Sequence, residues 1–298
     1  MRMNVKKDLL FQSVCAVLFL AFAAVCIYPF YYIVLVSISS ADAVSRGEVI
    51  VFPIGLHWDN FVQVFRLNGI LTAFGISVAR TVAGTALMLF FSTMLAYICT
   101  KQELIGRKWI YRATVFTMFF QAGLIPWFVT MKMLGLQNNF LLYILPGILS
   151  PFAIILIKTY IESISPSLEE SAIVDGAGYF TVLMKIVAPV SVPIIAAVAV
   201  FNAVGQWNSW QDNFFLVNDP RLQTLQLILK NFLSQAEMLA NSLKGGKTDL
   251  DTASRSQQLD PFAVKTTITV VTVIPILLVY PFLQKYFVKG IMLGAVKG

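Results

Sequence analysis

Residues 169–189 read EESAIVDGAGYFTVLMKIVAP. They lie between two long apolar stretches in a chain with few charges, and their reading decides how the whole is organised. Ser165-Pro166, just ahead of them, is a helix start: a capping side chain followed by proline at the first helical position. Glu169 and Glu170 then fall near the positive end of that helix. Asp175-Gly176 ends it, because glycine accepts a left-handed backbone that other residues resist. A second helix follows, with Phe180, Leu183, Met184 and Val187 on one face at i, i+3, i+4, i+7 spacing. Pro189 marks the approach to the next apolar run, and Pro193 lies just inside it. The expected shape is helix, glycine turn, helix: a stiff knob rather than a flexible linker.

The surroundings explain where such a knob would stand. Of 298 residues, 58% are hydrophobic and 12% charged, against about 25% charged in a soluble globular protein. Six charge-free runs cause the bias: residues 9–41, 81–100, 113–131, 133–157, 186–211 and 266–284. Each is long enough to cross a hydrocarbon core of roughly 30 Å as a helix. None shows the alternation of a membrane barrel strand. The expectation is therefore an all-α polytopic membrane protein with six transmembrane helices, the second beginning near Gly69. The first run is too long for a signal peptide and lacks a clean small-residue cleavage site.

Basic residues choose the orientation. Arg2, Lys6 and Lys7 precede the first run. Lys101, Arg107, Lys108 and Arg112 lie between the second and third, and Lys285, Lys289 and Lys297 follow the sixth. Positive residues stay cytoplasmic, which puts both termini, and the knob, inside. The net charge of +7 then reports orientation and membrane-lipid contact, not nucleic acid. Residues 1–68 read as a first helix with an extracytoplasmic segment, and 69–298 as a five-helix core. That core carries the cytoplasmic loop 161–189 and an outer segment 211–261. Within the outer segment, Leu222, Leu225, Leu229, Phe232 and Leu239 have amphipathic spacing.

Here the sequence resembles a known family. Glu170-Ser171-Ala172, Asp175-Gly176-Ala177, Ile186 and Pro189 are similar to the EAA motif of ABC importer permeases, with Ser171 for an alanine and Ala188 for a leucine. The ending PFLQKYFVKGIMLGAVKG and the stretch ISVARTVAGTAL also resemble carbohydrate-uptake permeases, in the subgroup for complex oligosaccharides, aldouronates or lipoprotein-like transport. The resemblance implies the type I importer fold in a bacterial cell membrane. It implies a second, usually non-identical permease, a cytoplasmic ABC ATPase dimer, an extracytoplasmic solute-binding protein and an oligosaccharide substrate. It also implies ATPase coupling through Glu170, Ser171, Ala172, Asp175, Gly176, Ala177, Ile186 and Pro189. Glu170 would pair with a base on the ATPase, and contacts around Ala172, Gly176 and Ala177 would supply most of the docking.

The outer face offers a substrate path. Trp207 and Trp210 suit stacking on sugar rings, with Asn208 and Asn213 bonding to hydroxyls; an interfacial aromatic belt fits the same residues. Arg80 fits either attraction of a uronate carboxylate or snorkelling to the interface. His57 stands alone and reads as structural. Cys15, Cys26 and Cys99 read as small apolar packers, with no metal spacing. GGKT at 245–248 has Asn241 where a phosphate loop needs glycine, so the chain is expected to use no cofactor and to be no enzyme. A secondary transporter or a membrane-embedded enzyme is the alternative. The first would place ionisable groups at mid-membrane, and the second needs clustered His or acids.

Overall fold

The computed structural model describes residues 5–66, 69–120, 122–244 and 265–278. All regular structure among them is helical: α1 (Val5–Ser37), α2 (Ala41–Ser45), α3 (Asp59–Arg66), α4 (Ile70–Thr100), α5 (Arg107–Thr117), α6 (Leu124–Met133), α7 (Pro151–Ile161), α8 (Pro166–Val174), α9 (Tyr179–Val190), α10 (Val192–Asn208), α11 (Gln211–Leu216), α12 (Leu225–Lys244) and α13 (Lys265–Leu278). The ending of the chain and the GGKT stretch lie outside the described residues.

Two helices are long and apolar enough to cross a membrane unbroken, Phe11–Ser37 and Ile70–Thr100. The other runs are interrupted, which counting charge-free residues could not show. Residues 113–131 are divided between α5 and α6, with Gly123 at φ +81° and Pro126 starting the second piece. Residues 133–157 hold short turns at Phe140–Tyr143 and Leu145–Gly147, then α7, with a bend of 47°. The fifth run bends by 81° between α9 and α10. Each break carries proline or glycine, residues that end a helix by removing a hydrogen bond or freeing the backbone. If each bent pair is one span, the described residues hold four spans by length and composition.

The chain forms two compact units. One comprises Met1–Asn68 with Asn231–Val273. In it, Leu35, Val36, Ala43 and Val49 form a small core at the end of α1. The loop that follows is tied back to that helix. Asn60 donates to Ser37 O at 3.1 Å, and Tyr28 and Tyr31 donate to Ile50 O and Val51 O at 3.1 and 2.7 Å. The backbone N–H of His57 donates to Ile38 O at 3.1 Å, consistent with its structural reading. Phe11, Phe19, Leu20 and Phe22 all stand exposed on α1, the surface expected of a helix solvated by lipid.

The other unit, Gly69–Lys230 with Ile274–Gly298, is built around α4. This helix packs against α10 and α7. Its buried face runs Ala73, Ser77, Arg80, Gly84, Thr85, Met88, Ser92, Ala96, Tyr97. Small residues dominate it, as in membrane helix packing where backbones approach closely. Polar side chains bridge the seam: Thr85 donates to Asn202 Oδ1 at 3.1 Å, and the N–H of Ser150 to Ser92 Oγ at 3.2 Å. At Gly84 an added Cβ would lie 2.8 Å from Gln206 Nε2. Nε2 ends a flexible side chain, which must shift against its bond to Arg80, so Gly84→Ala is expected to cost about 1 kcal/mol, the low end for overpacking. The same change in a Gln206→Ala background should cost far less. Thermal unfolding of the four variants in detergent measures the difference.

The amphipathic segment starts later than its spacing suggests. Leu222 sits in a separate turn and its carbonyl accepts from the Tyr143 hydroxyl at 2.7 Å. The helix begins at Leu225, and Leu225, Leu227 and Leu229 are buried.

Candidate functional site: the loop between α7 and α10

The loop forms the expected knob. Helix α8 starts at Pro166 and ends at Val174, with Asp175 as its C-cap. Gly176 has φ +87°. Its N–H donates to Ile173 O at 3.0 Å, and that of Ala177 to Ala172 O at 2.9 Å. That pair of bonds is the Schellman arrangement, which satisfies the last carbonyls of a helix and reverses the chain. Ser165 departs from expectation: its Oγ lies 2.8 Å from Ser167 Oγ and makes no bond to a backbone N–H. The cap is carried by its extended backbone and by Pro166.

Helix α9 contains a π-turn at Leu183–Val187. This widened turn shifts the phase of the side chains, so the predicted apolar face is divided. Val182, Leu183 and Val187 are buried, whereas Phe180 and Met184 are exposed.

The eight motif residues separate by direction. Ala172, Ala177 and Ile186 pack partly buried against the core formed by Tyr97, Ile157, Ile161, Val182 and Leu183. They bind the knob to its own unit, a role the sequence reading of Ala172 and Ala177 did not include. Glu170, Ser171, Asp175, Gly176 and Pro189 are exposed. Ser171 spends its hydroxyl on Leu168 O at 3.1 Å. Val174, 87% exposed, Ile173 and Leu168 surround Glu170 and Asp175 with apolar surface open to solvent.

At the far end of α4 and α10 the five candidate path residues also separate. Arg80 is 2% exposed. Arg80 lies ten residues into α4, about 15 Å along the helix at 1.5 Å per residue. Its guanidinium grips Asp212 with two bonds, 3.2 Å to Oδ1 and 2.6 Å to Oδ2. It also donates to Ser209 O at 3.2 Å and Gln206 Oε1 at 3.3 Å, beneath the Tyr143 ring at 4.5 Å. Four of its five N–H groups are thus engaged inside the protein, a packing role that neither the uronate nor the snorkelling expectation included. Asp212, Gln206 and Tyr143 were missed; the signal for Asp212 was an acid just beyond the fifth run, opposite in sign to Arg80.

Asn213 is buried, with Oδ1 accepting from the N–H and hydroxyl of Thr224 at 2.8 and 3.1 Å. It braces the start of α12 and is not presented to a substrate. Trp207 is also buried, edge-on to Phe74 at 6.1 Å. It lines a cavity of about 500 Å³ with Val78, Leu89, Val200 and Pro275. The hydroxyls there, Thr81 and Thr85, donate to Ser77 O and Asn202, so the wall offers little to a sugar. Asn208 is exposed and accepts from Gln226 at 3.0 Å, and Trp210 is half-buried with Lys230 5.3 Å from its ring centroid.

Residues 92–293, from mid-α4 through the knob and beyond, match the family described as "Binding-protein-dependent transport system inner membrane component". The chain belongs to this family. It is thus a permease of a transport system in a membrane, with the type I importer fold, and the alternatives of secondary transporter or enzyme fall away. It is 34% identical over 292 residues to the polygalacturonan/rhamnogalacturonan transport system permease protein YtcP of Bacillus subtilis (strain 168), covering 98% of this chain and 100% of that one. It is 35% identical to Protein LplC of the same organism over 99% of this chain and 97% of that one. Among solved structures, it superposes on a chain of a bacterial ABC transporter involved in the import of the acidic polysaccharide alginate. The TM-score is 0.84, with 31% identity over 96% of this chain and 100% of that one.

Proposed function

We propose that this permease is one of two subunits enclosing the path of an ATP-driven oligosaccharide importer, and that the knob at 161–189 docks in a cytoplasmic ABC ATPase. An extracytoplasmic binding protein delivers the sugar. Support for the cargo comes from the names of the relatives, which concern polygalacturonan/rhamnogalacturonan and the acidic polysaccharide alginate. The knob itself carries the mechanistic reading. It is a capped, glycine-turned helix pair held on its inner side and exposing an acid ringed by apolar residues. Force can pass only through a stiff element, and this one is stiff by construction. Glu170 supplies an ion pair to the ATPase, worth about 0–1 kcal/mol while exposed. Leu168, Ile173 and Val174 supply the greater part of the contact by burying apolar surface.

The topology follows the same reading. Six spans result if each bent helix pair counts as one, α5 and α6 make the third, and α13 begins the sixth. Lys101, Arg107, Lys108 and Arg112 hold their loop in the cytoplasm, with both termini and the knob on that side. Asn208 and Trp210 remain as outer-face contacts for sugar, whereas Arg80, Trp207 and Asn213 shape the walls.

Glu170→Lys tests the reading in cells expressing the whole transporter. Uptake of oligogalacturonides and of neutral oligosaccharides is measured side by side, with the permease level in the membrane. The expected result is loss of uptake of whichever sugar the wild type carries, normal insertion, and an ATPase that no longer copurifies. Undiminished uptake with a bound ATPase would overturn it.

A further inference from the structure

We propose that Glu169 and Lys101 form a strut fixing the coupling knob to the inner end of α4, so that the two consecutive acids have separate tasks: Glu170 faces the ATPase and Glu169 holds the knob in its working orientation. This rests on the reading of the knob as the coupling element. The observation is the convergence on one carboxylate. Glu169 Oε1 accepts from the Tyr97 hydroxyl and from Lys101 Nζ. Tyr97 lies in the last turn of α4, 3% exposed, in the core that holds the knob. Lys101 is the residue next after α4. Its ammonium stands 4.0 Å from the Tyr97 ring centroid and 5.9 Å from that of Tyr179, the first residue of α9. Charge, hydrogen bonds and ring faces thus join α4, α8 and α9 at one point.

The remaining contacts between knob and core are apolar, through Val182, Leu183 and Val187 with Ala172, Ala177 and Ile186 around them. Apolar burial is non-directional; it holds the knob down without fixing its rotation. Hydrogen bonds to a charged group are directional and stronger than neutral ones. Grooves of about 430 and 620 Å³ open near the strut, one lined by Met94, Ile98 and Phe180, the other by Gln102, Pro166 and Glu170. Packing is therefore incomplete where the knob meets the inner loop. Lys101–Glu169 is the one ion pair among the described residues that bridges this junction. Since α4 packs along α7 and α10, a knob locked to its end moves the centre of the unit.

Four variants of the assembled transporter test this: Glu169→Gln, Glu169→Lys, Lys101→Glu, and the exchanged pair Lys101→Glu with Glu169→Lys. Each is measured for sugar uptake, ATP hydrolysis, ATPase copurification and thermal unfolding of the permease. Glu169→Gln is expected to lower uptake by about fivefold while hydrolysis and copurification stay near wild type, an uncoupling that simple misfolding would not give. The single charge reversals should be worse and the exchanged pair should recover. Normal uptake in Glu169→Gln, loss of the ATPase from that variant, or no recovery in the exchanged pair would each overturn the strut. Thermal unfolding of the four variants reads the Lys101–Glu169 coupling without any ATPase. Additive changes there would sink the proposal, and non-additive ones sustain the contact. Glu170→Lys run in parallel separates the two ideas: if it keeps a bound ATPase and full uptake, the docking reading fails whatever Glu169 does.

Discussion

Arg80→Met is expected to destabilise the permease by about 3–5 kcal/mol, the usual cost of removing one partner from a buried ion pair. The cost arises because Asp212 remains, a carboxylate deprived of its two guanidinium bonds. Ser209 Oγ at 3.3 Å and the Asn213 N–H at 2.8 Å continue to serve it but bring no charge. Replacing both partners with apolar residues, Arg80→Met with Asp212→Leu, should recover most of the loss, since packed hydrophobic substitutes for buried pairs are often neutral. Thermal unfolding in detergent of the two single variants and the double shows this directly. If Arg80→Met unfolds at the wild-type temperature, the buried Arg80–Asp212 pair does not hold α4 to α11.

The second large effect is expected at Gly176, where Gly176→Val should abolish coupling without preventing insertion. No atom outside the adjacent residues lies within 4 Å of a Cβ built there, so the substitution meets no clash. The strain is in the backbone alone. A left-handed conformation costs an L-residue roughly 1–2 kcal/mol, more for a β-branched one. A penalty of that size is roughly a five- to thirtyfold shift in population, away from the turn that directs α8 and α9. Gly176→Asn, a side chain that tolerates this region, should retain much of the transport. Uptake ordered Gly, then Asn, then Val, at equal membrane levels, is the expected pattern; equal uptake in all three would show that the turn is not used.

Much of this was legible in the sequence because it depends on local chemistry. Pro166 fixes a helix start by its ring and Gly176 a helix end by its missing Cβ, and both stand where the sequence puts them. The membrane class followed from the scarcity of charge. What escaped depends on distance along the chain. Arg80 and Asp212 are 132 residues apart, and nothing local tells that a buried arginine is already satisfied. Glu169 and Glu170 are identical in sequence terms, and only the position of Lys101, 68 residues earlier, gives them different partners. Ala172 and Ala177 could face either way in the sequence, and only the packing of the knob places them against the core. The breaks in the apolar runs were carried by Gly123, Pro126, Pro146, Pro151 and Pro193, visible residues whose effect a count of charges ignores.

The proposed docking puts the exposed tip of the knob in the cytoplasm against an ATPase, and Val174, 87% exposed, stands on that tip. In a background with Cys15, Cys26 and Cys99 replaced, Val174→Cys can be labelled with a membrane-impermeant maleimide in oriented vesicles, with and without the ATPase bound. Labelling is expected from the cytoplasmic face only, strongly reduced when the ATPase is present. Labelling from the outer face, or labelling from the cytoplasmic face that the ATPase does not protect, would contradict it.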